Sequence, residues 1–251
     1  MKTIVYSILL IGISAGIMAC DGKDSKTVTA TIEVPVMNTH EVKPLVEKVL
    51  SAEEQAALSP DQVISLFKAG NERFMNNDLT ARDHSAQVRQ STNAQYPKAI
   101  VLSCVDSRVP VEDVFDRGIG DVFVARVAGN FVNEDILGSM EFACKVSGAK
   151  VILVMGHEHC GAVKAAIDDV KLGNISLMLE KIKPAIDMVD FNGERNSKNP
   201  EFVHLVCEKN VENNIAQIRE RSPLLREMQD KGEIKIIGAV YDMDNGKVSF
   251  L

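Results

Sequence analysis

Two short stretches carry the residue types that metal chemistry needs. Cys104-Val105-Asp106-Ser107-Arg108 follows an apolar run at 99–103, and Gly156-His157-Glu158-His159-Cys160-Gly161 follows another at 151–155. Thiolate sulfur and neutral imidazole nitrogen are the ligands zinc takes in tetrahedral geometry, and three protein ligands leave a fourth position for water. His157 and Cys160 are three residues apart, so one tight turn can aim both at a single ion. Cys104 lies far upstream and must be brought in by strand adjacency. Each residue alone has a plainer reading: Cys104 as a buried free thiol, His157 as a hydrogen-bonded loop imidazole. Asp106 and Arg108 tilt the balance. An aspartate beside arginine stays ionised because the opposite charge lowers its pKa, and near zinc it would accept a hydrogen bond from bound water and orient it. The alternative for this pair is an ordinary, weak loop ion pair.

The elements that must position these residues read as α/β. Residues 99–103, 122–127 and 151–155 are short, continuous and rich in β-branched side chains, which suits central parallel strands. Residues 134–146 have helical period and end before Gly148, a fitting C′ glycine. Another helix begins near Ala162. The alternation predicts a mostly parallel central sheet flanked by helices, with ligands gathered at the carboxyl ends of its strands. Upstream, 42–58 reads as an amphipathic helix. Ser59-Pro60-Asp61-Gln62 is a capping box opening a second helix, with Val63, Leu66, Phe67, Gly70 and Phe74 on one face and Asn76-Asn77-Asp78 as its stop. These N-terminal helices pack outward and carry no chemistry. Downstream, 201–221 is a long helix with Cys207, Val211, Ile215 and Ile218 on one stripe, ended by Ser222-Pro223. A strand follows at 234–240, and Asp244-Asn245-Gly246 turns the chain into a C-terminal hairpin strand at Val248-Ser249-Phe250.

Composition bounds the remaining possibilities. The 251 residues are 45% hydrophobic and 25% charged, values of an ordinary globular chain. A net charge of -7 and a pI near 5.3 argue against nucleic acid as the partner, since phosphate binding wants a basic face. The five cysteines, Cys20, Cys104, Cys144, Cys160 and Cys207, are odd in number and widely spread, which is not a disulfide framework. Cys144 and Cys207 read as core. Residues 1–20 read as a signal peptide: Lys2 precedes an apolar run at 4–18 that is shorter than the roughly 20 residues of a spanning helix and fits a secretory segment. Ile17-Met18-Ala19-Cys20 resembles a bacterial lipoprotein signal, which would lipidate Cys20; an uncleaved anchor and ordinary secretion are the alternatives. Residues 21–41 read as a tether and 42–251 as one zinc-dependent catalytic domain. The expected location is therefore exported, periplasmic or cell-envelope, touching membrane only through a lipid at Cys20.

Ser103-Cys104-Val105-Asp106-Ser107-Arg108-Val109-Pro110 together with Gly156-His157-Glu158-His159-Cys160-Gly161-Ala162 resembles the β-class carbonic anhydrases. Gly120-Asp121-Val122-Phe123-Val124-Ala125-Arg126-Val127-Ala128-Gly129-Asn130 resembles the middle segment of that family. Ser222-Pro223-Leu224-Leu225, Gly238-Ala239-Val240-Tyr241-Asp242 and Gly246-Lys247-Val248 resemble its C-terminal part, so the likeness runs from about Pro60 to Leu251. It implies a β-carbonic-anhydrase-like fold and a carbonate dehydratase, a lyase that converts carbon dioxide reversibly to bicarbonate and a proton by a zinc-bound hydroxide. It further implies one Zn2+ per subunit on Cys104, His157 and Cys160. Asp106 and Arg108 match the catalytic pair that keeps the fourth zinc position open; in some members the Asp swings onto zinc and inactivates the site. Gln95 matches a substrate-binding amide, with a surface amide as the plainer reading. Gly161 would let a backbone N–H approach the bound oxygen. Phe123 would line an apolar pocket for carbon dioxide, although a strand Phe is more often core. Family members build the site at a subunit interface, which implies a homodimer or higher homo-oligomer. His159 reads as a surface residue, with a proton shuttle and a competing metal ligand as alternatives. Two other functions fit the same residues: a zinc hydrolase of carbonyl sulfide or carbon disulfide on this fold, and a non-catalytic zinc- or bicarbonate-binding lipoprotein. The intact Asp106 and Arg108 favour catalysis over sensing. A bicarbonate-inhibited subtype relies, in the family, on a Trp, and the chain has none.

Overall fold

Apolar on both sides, segments such as 99–103 and 151–157 suit strands in a sheet covered on both faces. The computed structural model describes residues 43–46 and 48–251, and there they form the middle of a five-stranded sheet. The segments read as signal peptide and tether, with Cys20, lie outside the described residues. In chain order the elements are α1 Ala52–Ala56, α2 Pro60–Met75, α3 His84–Gln90, β1 Ala99–Ser103, α4 Val111–Val114, β2 Val122–Arg126, α5 Glu134–Glu141, β3 Val151–His157, α6 Gly161–Ile167, α7 Gly173–Leu179, α8 Lys183–Asp187, α9 Pro200–Arg221, α10 Pro223–Asp230, β4 Lys235–Tyr241 and β5 Val248–Phe250. The strand order is β2-β1-β3-β4-β5. β1 to β4 are parallel, and β5 pairs antiparallel with β4 through the hairpin expected at Asn245-Gly246.

Alternation along the central strands splits the core between two faces. Ile100, Leu102, Ile152 and Val154 pack with Leu137, Met140, Val211, Ile218 and Leu225 from α5, α9 and α10. Val101, Leu153 and Met155 face the other way, onto Val63 and Phe67 of α2 and Val111 and Val114 of α4. A third cluster, built by α6 to α9, encloses Cys104 and Cys160. The register then decides where chemistry can sit. β1 leaves the sheet at Ser103, one step beyond the Leu102–Val154 pair, while β3 continues beside β4 until His157 lies opposite Tyr241. Cys104 and His157 thus emerge at the same carboxyl edge, where parallel α/β sheets place their ligands.

Three local expectations change. The helix read at 42–58 is confined to α1, whose capping box is Ser51 with Glu54. Before it, Val46 makes backbone bonds with Ala81 and Asp83 and stays exposed with Leu45, so the apolar period there has no core to face. The segment 134–146 starts as α5, capped by Asn133, and widens into a π-helical turn at Phe142–Val146 before Gly148 turns with φ +76. A Cβ at Gly148 would strike the Gln55 side chain, whose amide donates to Pro97 O and Ser147 O. Ser222-Pro223 ends α9 and also starts α10: the Ser222 N–H bonds Ile218 O, while its hydroxyl accepts from Leu225 N. A stop signal was therefore also a start signal.

Away from the sheet edge, Asp116 is fully buried after α4. One carboxylate oxygen accepts from Thr80 N at 3.1 Å and Arg82 Nη1 at 2.6 Å, the other from Arg73 Nε at 2.5 Å and Thr80 Oγ1 at 2.7 Å. Burial pushes its pKa up, but these bonds outweigh it and bring the group down to about 2. The network ties α2 and the segment after it to the end of α4. Among the described residues, no helix is long and apolar enough to cross a membrane.

Candidate metal centre

Cys104, His157 and Cys160 are all buried, and their ligand atoms lie within 4.8 Å of one another. Three elements deliver them: the end of β1, the last residue of β3, and the residue before α6. Between the last two, Glu158 N bonds Tyr241 O at 3.0 Å, and His159 takes a left-handed φ of +54 that turns the chain back. His157 Nδ1 sits 2.8 Å from Glu158 O. A carbonyl oxygen can only accept, so Nδ1 carries the hydrogen and Nε2 presents its lone pair, the form a metal-bound histidine takes. That Nε2 is buried with no hydrogen-bond partner, a costly state unless a ligand fills it.

The thiols fit the same group. Cys104 is pushed well below the ordinary thiol range, first by the hydrogen bond with Cys160 and against the effect of burial. Cys160 is pushed up by that same bond and by burial. The two sulfurs are thus close enough to hydrogen-bond each other, and a divalent ion would bind them as thiolates. Two sulfurs and one imidazole nitrogen compose a donor set for zinc with one position left open. Gly129 N donates to Cys104 Sγ at 3.3 Å from a left-handed backbone, and a side chain there would collide with Ile182.

Asp106 and Arg108 meet as the spacing suggests. Arg108 Nε donates to Asp106 Oδ1 at 2.9 Å and Nη2 to Oδ2 at 2.7 Å, with the Arg108 backbone N–H adding a bond to Oδ1 at 3.0 Å. These bonds hold the carboxyl well below its usual range and raise the guanidinium. Asp106 Oδ2 is 3.9 Å from His157 Nε2, so the carboxylate borders the space the three ligands face.

Several positioning residues had no reading in the sequence. Arg126, opposite Ser103 in the register, donates to Cys104 O at 3.0 Å and Val109 O at 2.6 Å, clasping the loop that bears Asp106 and Arg108. Its signal was a charge inside an apolar strand. From α9, buried Asn210 donates to Gly129 O at 2.8 Å, while Asn214 accepts from Val132 N at 2.8 Å and donates to Asn210 O at 2.7 Å. Two asparagines four apart on a buried helix face were the visible sign. Cys207, predicted as core, is buried and donates its S–H to His157 O at 3.4 Å; burial pushes both it and Cys144 up to about 12, leaving inert thiols.

Other predicted residues lie elsewhere in the chain. Gln95 is exposed before β1, at the opposite end of that strand from Cys104. Phe123 is the second residue of β2, opposite Ile100; it packs edge-on against Phe142, ring centroids 6.2 Å apart, and lines an open groove of about 730 Å³ with Ile136 and Phe142. Neither joins the Cys-His-Cys cluster of its own chain, because Gln95 precedes β1 and Phe123 lies near the amino end of β2, away from the carboxyl edge. Gly161 opens α6 next to Cys160, exposed, with open space where a side chain would point.

A parallel sheet that gathers two thiols and an imidazole at adjacent strand ends, beside an arginine-held carboxylate, is the arrangement a metal-dependent α/β enzyme would use. The family model for carbonic anhydrase matches residues 99–248. Carbonic anhydrase 2 of Mycobacterium tuberculosis is 35% identical over 187 residues, 72% of this chain and 87% of that protein. Carbonic anhydrase of Mycolicibacterium smegmatis is 34% identical over 188 residues, 72% and 88% of the two chains. Among solved structures, the Coccomyxa β-carbonic anhydrase in complex with acetazolamide superposes with a TM-score of 0.59 at 24% identity, covering 75% of this chain and 84% of that one. A tetrameric β-carbonic anhydrase of Sordaria macrospora gives 0.57 at 23% identity, covering 66% and 90%. The chain belongs to the carbonic anhydrase family, and its fold is that of the β class.

Proposed function

We infer that this enzyme hydrates carbon dioxide reversibly to bicarbonate and a proton, using one zinc ion per chain held by Cys104, His157 and Cys160. The observation that carries the reading is the buried, unsatisfied His157 Nε2, within 4.8 Å of two thiol sulfurs and 3.9 Å from an arginine-locked carboxylate. When bound, zinc supplies the Lewis acidity that makes a coordinated water a nucleophile near neutral pH.

The chain's own residues do the rest. Cys104 and Cys160 as thiolates balance the divalent charge in a buried place where an unpaired ion would be costly. Asp106, kept ionised, only accepts hydrogen bonds, so it orders a nucleophile by its proton and fixes which lone pair faces the substrate. Arg108 grips both carboxylate oxygens and would hold them from turning onto a bound metal. Gly129 N–H and the asparagines behind it set the position of the Cys104 sulfur. Gln95 and Phe123 would serve substrate only across a subunit boundary, in a homo-oligomer whose site is shared. Supporting this, β2 is an edge strand among the described residues, with half-buried side chains, and Phe142 in the groove wall and Val146 at the end of its π-helical turn are 51% and 71% exposed, a patch suited to a partner surface. Gly161 would offer its N–H from the open side of Cys160.

The N-terminal sequence supports an exported lipoprotein anchored through Cys20, with 21–41 as tether in the periplasm or cell envelope. Labelling with a palmitate analogue is expected in the host and lost in Cys20→Ala; an unlabelled wild type would refute the anchor. For the activity itself, stopped-flow hydration of carbon dioxide by the zinc-loaded protein should far exceed the buffer rate. A buffer-level rate beside turnover of carbonyl sulfide would transfer the reading to a hydrolase.

A further inference from the structure

We propose that a small cavity between α8 and the second half of α9 is a regulatory site for a small organic carboxylate, distinct from the metal centre and coupled to it through two asparagines. Its volume is about 190 Å³, below the roughly 300 Å³ at which sites for drug-sized ligands begin, so it admits a small acid and excludes a nucleotide. The floor is buried: Phe131, Val132 and Asn214 are each 6% exposed or less. On the wall, Asn213 and Gln217 stand four residues apart on α9, both half-buried, and neither side chain bonds another part of the chain among the described residues. Half-buried amides without partners call for polar groups from a ligand. Phe131 and Pro184 also line the cavity, giving apolar surface to the carbon body of such a ligand.

Charge selects an anion. Lys181 and Arg221 both line the cavity, and Lys181 forms no salt bridge among the described residues. The acid in the lining, Glu180, is engaged elsewhere, by Lys183 at 2.8 Å and Lys171 at 3.4 Å. Arg221 donates to Val132 O at 3.4 Å and to Glu134 Oε1 at 2.7 Å. The Glu134 side chain is 87% exposed, so a carboxylate entering from solvent can take its place on the guanidinium, which binds such groups two-pronged. Glu134 is held below the ordinary carboxylate range by a backbone hydrogen bond and then by the fields of Arg221 and Lys181, which sets both cations at one mouth.

The cavity floor is the far end of a hydrogen-bond chain that reaches the metal centre. Asn214 accepts from Val132 N at 2.8 Å and donates to Asn210 O at 2.7 Å. Asn210 donates to Gly129 O at 2.8 Å, and Gly129 N donates to Cys104 Sγ at 3.3 Å. A ligand packed on Asn214 and Val132 restrains residues 129–132 and, with them, the Cys104 sulfur, as contacts behind the ligands do at other metal sites. Linkage makes the effect mutual: the factor by which the acid raises metal affinity is the factor by which metal raises affinity for the acid. This coupling rests on the metal reading given above; binding of the acid does not.

Calorimetric titration of the zinc-loaded chain with acetate, propionate and butyrate, at an ionic strength held constant with chloride, tests this directly. One saturable site is expected, with affinity rising about fourfold per added methylene as the carbon body meets Phe131 and Pro184. Lys181→Glu combined with Gln217→Ala should weaken butyrate by about tenfold or more while leaving carbon dioxide hydration unchanged. Cys104→Ala should still bind butyrate, which separates failure of this site from failure of the metal reading. Against a competing chelator, butyrate should raise the zinc affinity of wild type by about fivefold and leave that of the doubly substituted chain unaltered. Binding that needs Cys104 and ignores the double substitution would put the carboxylate on the metal and overturn the proposal. Heat no greater than chloride alone gives, or one affinity for all three acids, would overturn it as well.

Discussion

Asp106 and Asp116 are both carboxylates gripped by arginine, yet only one has acceptor capacity to spare. Asp116 spends two bonds on each oxygen, from Arg73, Arg82 and two groups of Thr80, and it is sealed from water. Asp106 receives two bonds on Oδ1 but one on Oδ2, and that oxygen faces His157 Nε2. A carboxylate oxygen offers about two acceptor sites. Saturation makes Asp116 a rivet between segments; the open site on Asp106 makes it an instrument. An arginine–aspartate pair in a sequence thus says little until its unused lone pairs are located.

Substitutions at the two positions should separate in kind as well as size. Asp116→Asn leaves two buried-side arginines without their counter-charge and should cost about 3–5 kcal/mol of stability, read by denaturant unfolding, with the activity of the folded fraction unchanged. Its pH dependence has a definite sign. The folded pKa is depressed, so the stabilisation is complete above the ordinary carboxylate value and lost as pH falls toward about 2, amounting to on the order of 2 kcal/mol. Asp106→Asn should do the reverse: little change in unfolding, but kcat/KM lower by about 10²–10³, the scale of losing one preorganised hydrogen-bonding group. If both variants lost stability alike with activity intact, the distinction would collapse.

Smaller effects sharpen it. Asn210→Ala frees the Gly129 segment that donates to Cys104 Sγ and should speed metal loss to chelator by about 10–100-fold, with unfolding of the metal-loaded protein changed less. Arg108→Lys keeps the charge of the Asp106 pair but loses its two-pronged grip, so kcat should fall by about tenfold while metal content holds. Acid should act through the thiols rather than through Asp106. A metal takes the thiols as thiolates, so protons compete with it at Cys104 and Cys160, and affinity should fall about tenfold per pH unit for each proton involved, measured by competition with a chelator over a pH series.

Much of this was legible in the sequence because it is local. The apolar runs before Cys104 and His157 announced central strands, Ser59 through Gln62 announced a capped helix, and Asn245-Gly246 announced a hairpin. Asp106 and Arg108, two residues apart, could meet without help from the rest of the fold. What needed three dimensions was contact between distant segments. Arg126 reaches the Cys104 loop only because β2 lies beside β1, and Asn210 reaches Gly129 only because α9 crosses the sheet. Gln95 shows the converse limit: proximity to Cys104 in sequence becomes separation in space, since the intervening residues are an extended strand. The 42–58 reading failed because helical period counts only where a core exists to receive it.

The central claim is that the Cys104-His157-Cys160 centre holds the ion on which hydration depends. Metal-free protein titrated with zinc while carbon dioxide hydration is followed by stopped flow tests this most directly, with Cys104→Ala alongside. The rate should rise in proportion to zinc up to one equivalent per chain and no further, and the variant should remain at the buffer rate throughout. Hydration by the metal-free chain, or an equal rise in Cys104→Ala, would contradict the account.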